Sequence, residues 1–160
     1  MDYDAFVGRY ILLFGNLEKT IDESIRIIWN KHFGEKSGEV ISGIIKDMKL
    51  YKRVKTLYEI IDHTNLTDPE KADWKKFFEA IDKCINTRNL LAHGMYGIEN
   101  GCFLKFRKNG ETILISDEDF SDQLTELDTR YRQLFDSVIE ASLYEASGFT
   151  WICSYPKLQW

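Results

Sequence analysis

Residues 68–94 read DPEKADWKKFFEAIDKCINTRNLLAHG, and this stretch decides the fold. Trp74, Phe77, Phe78, Ile81, Cys84, Ile85, Leu91 and Ala92 recur at helical spacing and give one long helix its apolar face. Asp68 followed by Pro69 is a cap and first-turn pair. The Asp oxygen accepts a free amide of the first turn, and Pro has no amide to satisfy. Gly94 suits the left-handed residue that closes many helices. The predicted helix therefore runs from Asp68 to His93.

Two more helices are predicted upstream. The first runs from about Asp4 to His32, with Phe6, Tyr10, Leu13, Leu17, Ile21, Ile25 and Ile28 as its stripe. Residues 10–14 are apolar all round, which predicts burial on several sides. Gly34 and the polar residues 35–38 end it. The second runs from about Glu39 to His63, with Ile41, Ile44, Ile45, Met48, Tyr51, Val54, Tyr58 and Ile61 inward. Residues 65–69 form a turn.

Beyond Gly94 the period changes to two. Phe103 to Lys108 and Glu111 to Ser116 flank Asn109-Gly110, a two-residue hairpin signal. That turn pairs Lys108 with Glu111, Phe106 with Ile113, and Leu104 with Ile115. A fourth helix follows from Asp117 or Phe120 to Ala146, with Leu124, Leu127, Tyr131, Leu134, Phe135, Val138, Ile139 and Leu143 inward. Asp117, Glu118 and Asp119 put negative charge at its start, where the helix dipole favours it. The tail, residues 148–160, carries Phe149, Trp151, Ile152, Tyr155, Leu158 and Trp160, and so should dock on its own core or on a partner. The expected architecture is an all-α antiparallel bundle of four main helices. A small β-hairpin is inserted before the last one, in a single domain spanning residues 1–160: helical body about 4–146, hairpin about 102–116.

Composition sets outer limits. At 160 residues, with 44% hydrophobic and 29% charged residues, the chain reads as one soluble globular domain. No apolar run is long enough to span a membrane, and the acidic start is unlike a secretory signal. Cys84, Cys102 and Cys153 have no metal-like spacing and read as reduced thiols in a cytoplasmic protein. No acidic cluster has metal spacing either, and no cofactor is expected. The net charge of -5 is awkward for nucleic-acid binding, but residues 46–55, KDMKLYKRVK, hold five basic residues against one acid. Lys46, Lys49 and Arg53 fall at helical spacing on one face of the predicted second helix, either as an RNA-binding patch or as a solvated helix face.

Arg88-Asn89-Leu90-Leu91-Ala92-His93 at the end of the long helix carries the chemistry. An Arg can grip a phosphate bidentately, and a His moves protons near neutral pH. Asn89 and His93 are four apart and lie one above the other on a helix face, with Arg88 adjoining them. Arg26 and His32 repeat the spacing but fall on largely opposite faces, which argues against a site there. A plain structural use is also open: Arg88 and His93 complement the dipole at a helix end. His63 ends a helix with no Arg partner and reads as a capping residue. Cys84 reads as a small core residue, and Tyr96 as a base-stacking or packing aromatic.

The pattern Arg88-Asn89-x-x-Ala92-His93-Gly94, closing the third helix of an all-helical domain, resembles the HEPN superfamily. The likeness covers the helical body and is specific at this heptapeptide. The resemblance implies a metal-independent endoribonuclease of a toxin or antiphage-defence system, with Arg88, Asn89 and His93 as catalytic residues. It also implies a homodimer in which two Arg-His sets line one cleft, RNA as substrate, and an antitoxin or other protein as partner. Other members of that superfamily are catalytically inactive interaction or nucleotide-binding modules, and that alternative stays open here. In one toxin branch a Tyr lies two residues after the His and is modified by an antitoxin. Here Met95 holds that place and Tyr96 comes one later, a departure from that pattern.

Overall fold

The computed structural model describes the backbone of residues 3–34, 37–63, 66–93, 95–99, 103–108 and 111–146. Its described side chains are those of residues 4–31, 33–34, 37–63, 66–92, 115–116 and 118–136. Among these residues the chain forms five helices and one sheet: α1 (Tyr3–Phe33), α2 (Ser37–Ile45), α3 (Leu50–Asp62), α4 (Asp68–His93), β1 (Met95–Glu99), β2 (Phe103–Lys108), β3 (Glu111–Ser116) and α5 (Asp117–Ala146). The protein is a helical bundle with a small antiparallel sheet between its last two helices. No helix among the described residues is long and apolar enough to cross a membrane.

α1 is the central element and touches each of the other four helices. Its stripe of Tyr10, Phe14, Leu17, Ile21 and Ile25 is at most 1% exposed. The all-round burial expected of residues 10–14 does not occur: Ile11 and Leu12 face outward, because the partners of α1 cover only part of its circumference here. Gly34 closes α1 at φ +87°, donating its amide to the Asn30 carbonyl at 2.7 Å.

The single helix expected over Glu39–His63 is two helices. The chain leaves the helix after Ile45, with the Met48 amide bonded to the Ile45 carbonyl at 3.0 Å, and restarts at Leu50 behind an extended Lys49. The break resets the register. Val54, Leu57 and Ile61 become the buried face of α3, while Ile44 and Tyr51, expected inward, are exposed. The count of main helices is accordingly five rather than four.

α4 keeps its expected bounds but takes its cap one residue earlier. Thr67, not Asp68, is the N-cap. Its amide and its hydroxyl both donate to Glu70 Oε2, at 2.8 and 2.6 Å, and its carbonyl accepts the Lys71 amide. Glu70, three residues on, is what makes Thr67 the better cap. Trp74, Phe77, Phe78, Ile81, Cys84 and Leu91 are buried as expected, whereas Ala92 is exposed.

β2 and β3 pair in the expected register, with Lys108 opposite Glu111, Phe106 opposite Ile113 and Leu104 opposite Ile115. A strand the sequence reading lacked, β1, pairs antiparallel with β2, so the hairpin is the second half of a three-stranded meander. Ile115 joins the hydrophobic core. α5 opens on a Ser116–Asp119 cap: the Ser116 hydroxyl donates to Asp119 Oδ2 at 2.6 Å, and the Asp119 amide donates back to it at 3.0 Å. Phe6 packs on Phe120 at 4.6 Å between ring centroids, so α1 and α5 begin at the same end of the bundle. α4 ends there. Gly94, the Asn109-Gly110 turn, Cys102, Cys153 and the tail lie outside the described residues.

Candidate functional site

The last turns of α4 are pinned from two sides. The Tyr10 hydroxyl of α1 donates to the Cys84 carbonyl at 3.3 Å, in the buried core. Thr87 on α4 donates to Gln123 Oε1 on α5 at 2.8 Å. Leu91, one turn further, is buried. Burial raises the Tyr10 phenol well above its ordinary range and pushes the Cys84 thiol up to about 11. Cys84 is therefore a neutral core thiol near pH 7 and not a nucleophile.

Arg88 sits on this platform. Its guanidinium lies 5.9 Å from the centroid of the Phe14 ring, within cation–π range, and donates through Nη1 to Asn89 Oδ1 at 3.2 Å. Four arginines are partly buried among the described residues. Arg26 pairs with Glu23, Arg53 with Asp22 and Glu18, and Arg130 with Glu126. Arg88 has no carboxylate within salt-bridge distance among the described residues. Asn89 and Ala92 are exposed beside it. His93 is the last residue of α4, so the backbone sets position 93 above Asn89 on the same helix face. The His93 side chain lies outside the described residues. So does that of Tyr96, whose backbone is in β1 opposite Phe106.

The second group of candidates is dispersed. Lys46 and Lys49 fall in the break between α2 and α3 and do not share a helix face with Arg53. Both are exposed. Arg53 is committed internally: Nη1 donates to Asp22 Oδ2 at 2.6 Å, and Nη2 lies 3.7 Å from Glu18. It clamps α3 to α1 and offers no free cation. The lookalike Arg26 is likewise held, by Glu23. His63 caps α3, its amide bonded to the Glu59 carbonyl. No group of three His, Cys, Asp or Glu side chains converges as a metal site among the described residues.

The sequence does not single out Thr87 or Gln123, and it marks Phe14 only as part of the apolar stretch 10–14. Phe14 follows Tyr10 at a helical step, which places it on the same face, but nothing in the sequence ties it to Arg88. No family model, curated protein or solved structure matches the chain.

Proposed function

We propose that this protein is a metal-independent endoribonuclease of the HEPN type, using Arg88, Asn89 and His93. The observation that carries the reading is the state of Arg88. It is a half-buried guanidinium, held by a ring face and a neighbouring amide, without a counter-ion among the described residues. Its fork fits two phosphate oxygens, and no carboxylate of the described residues competes for it.

RNA brings its own nucleophile. The 2′-oxygen attacks the adjacent phosphorus, forming the P–O2′ bond, and one His93 accepts the hydroxyl proton. The P–O5′ bond breaks, and a second His93, from the other copy of a homodimer, donates a proton to the leaving oxygen. Arg88 stabilises the charge that grows on the non-bridging oxygens. Asn89 orients Arg88, whose Nη1 it already binds. The products are a 2′,3′-cyclic phosphate and a 5′-hydroxyl. A toxin or antiphage role in the cytoplasm, held in check by an antitoxin or other protein partner, belongs to the same proposal.

The test is direct. Purified wild-type protein, Arg88→Ala and His93→Ala are incubated with total cellular RNA in the presence of a chelator. Wild type should cut, and each variant should lose at least ~100-fold in rate. Cleavage that survives both substitutions removes the proposal. A second reading, a non-catalytic interaction module, draws on Leu12, Phe33 and Val40, which are largely exposed on α1 and α2. It predicts capture of a protein partner and no cleavage by wild type.

A further inference from the structure

α3 and α4 do not close over one another completely. Between them lies a groove of about 440 Å³, with Tyr51, Tyr58 and Phe78 as its aromatic walls. Tyr58 meets Phe78 edge-on at 5.3 Å, and Trp74 stacks behind Phe78 at 5.8 Å, so the inner wall is fixed. Tyr51 is 54% exposed, a large side chain left at the mouth with a face open to a ligand.

The two rims differ in charge. The α3 rim holds Lys55, whose Nζ lies 3.6 Å from Glu59 one turn on, and Lys49 and Lys52 are exposed toward the start of the helix. The α4 rim holds Lys75, Glu79 and Asp82. Positions 75, 79, 82, 86, 89 and 93 follow steps of four and three along one face of α4, and Lys75, Glu79, Asp82, Asn86 and Asn89 are exposed on it. From Asp82 to Asn89 the helix rises only about 10 Å. The groove and positions 89 and 93 thus share one face of α4, with Arg88 beside them turned toward Phe14 of α1.

We propose that this groove holds a base of single-stranded RNA, an inference that rests on the ribonuclease reading above. The base enters between Tyr51 and the Tyr58–Phe78 wall. The phosphates follow the lysine rim of α3, and the strand continues along α4 to Arg88. The orientation follows from charge, since phosphates cannot lie against Glu79 and Asp82. These carboxylates face the base edge and accept hydrogen bonds from an exocyclic amine. Cytosine offers such an amine; uracil presents a carbonyl oxygen there and is disfavoured.

The experiment uses the full chain carrying His93→Ala, so that binding is read without cleavage, and fluorescein-labelled oligocytidylate and oligouridylate followed by anisotropy. Oligocytidylate should bind at least about fivefold more tightly. Adding Tyr51→Ala should weaken it by about 5- to 100-fold, the range for loss of one base–aromatic stack, and Tyr51→Phe should restore it. Glu79→Gln with Asp82→Asn should bring the two oligonucleotides together. Unchanged affinity in Tyr51→Ala, alongside cleavage by the wild type that needs Arg88, overturns the groove and leaves the ribonuclease intact. Tyr51-dependent binding by a wild type that cuts no RNA upholds the groove as a binding site and overturns the catalysis. Absence of binding to either oligonucleotide overturns the groove.

Discussion

Arg53 and Arg88 are both partly buried and meet different company. Arg53 is held by Asp22 at 2.6 Å and Glu18 at 3.7 Å, whereas Arg88 has a ring face and an amide. Their substitutions should report differently. Arg53→Met leaves Asp22 without its cation and should lower stability by about 1 kcal/mol, read from urea melts, without changing cleavage. Arg88→Lys keeps the charge and loses the fork. It should leave the melt unchanged and cut the cleavage rate by about tenfold or more.

Cys84 gives a pH prediction. Its thiol rises from an ordinary value of 9.0 to about 11 in the fold, chiefly through burial. The folded state therefore keeps a proton that the unfolded state releases. Its contribution is whole below about pH 9 and is lost as pH climbs to about 11. Wild type should lose stability across that window more steeply than Cys84→Ala, measured by denaturant midpoints at stepped pH. Equal slopes would refute the buried-thiol account.

At the scale of elements, two glycines of α2 make a matched pair. A Cβ on Gly38 would overlap the Asn30 carboxamide of α1, whereas one on Gly43 would meet nothing within 4 Å. Gly38→Ala should cost about 1 kcal/mol or more, while Gly43→Ala should add up to about 1 kcal/mol by stiffening the unfolded chain. Thermal melts of the two variants should move in opposite directions. The same element shows where the sequence was hard to read. Residues 46–49 contain no Gly or Pro, and the apolar spacing Ile41, Ile45, Met48 carries across the break as if the helix went on. α4 was legible because both of its ends carry stop signals and its stripe is long. The β2–β3 register was legible because a two-residue turn leaves one pairing. β1 was not, since Met95–Glu99 is short and holds Gly97 at its centre.

At the scale of the molecule, the candidate heptapeptide was legible as a local pattern, but its platform was not. The Tyr10–Cys84 bond joins residues 74 apart in sequence, and the Thr87–Gln123 bond joins residues 36 apart. Only the folded bundle brings them together. The proposed two-histidine mechanism makes a prediction at this scale. Sedimentation of the wild type should give twice the 18.8 kDa of one chain. A monomer at every concentration used for cleavage would end the composite site.

The Thr87–Gln123 bond has a further consequence. The chain leaves the helical body at one side of that bond and returns at the other, so the sheet is an excursion with adjacent points of exit and re-entry. An insert of this kind is an exchangeable cassette. Replacing residues 95–114 by a short Gly-Ser bridge, with Ile115 retained for the core, should leave a folded helical body, because closing so short a gap costs little entropy. The same adjacency makes the meander a natural place to open new termini by circular permutation, or to graft a reporter that senses events at Arg88.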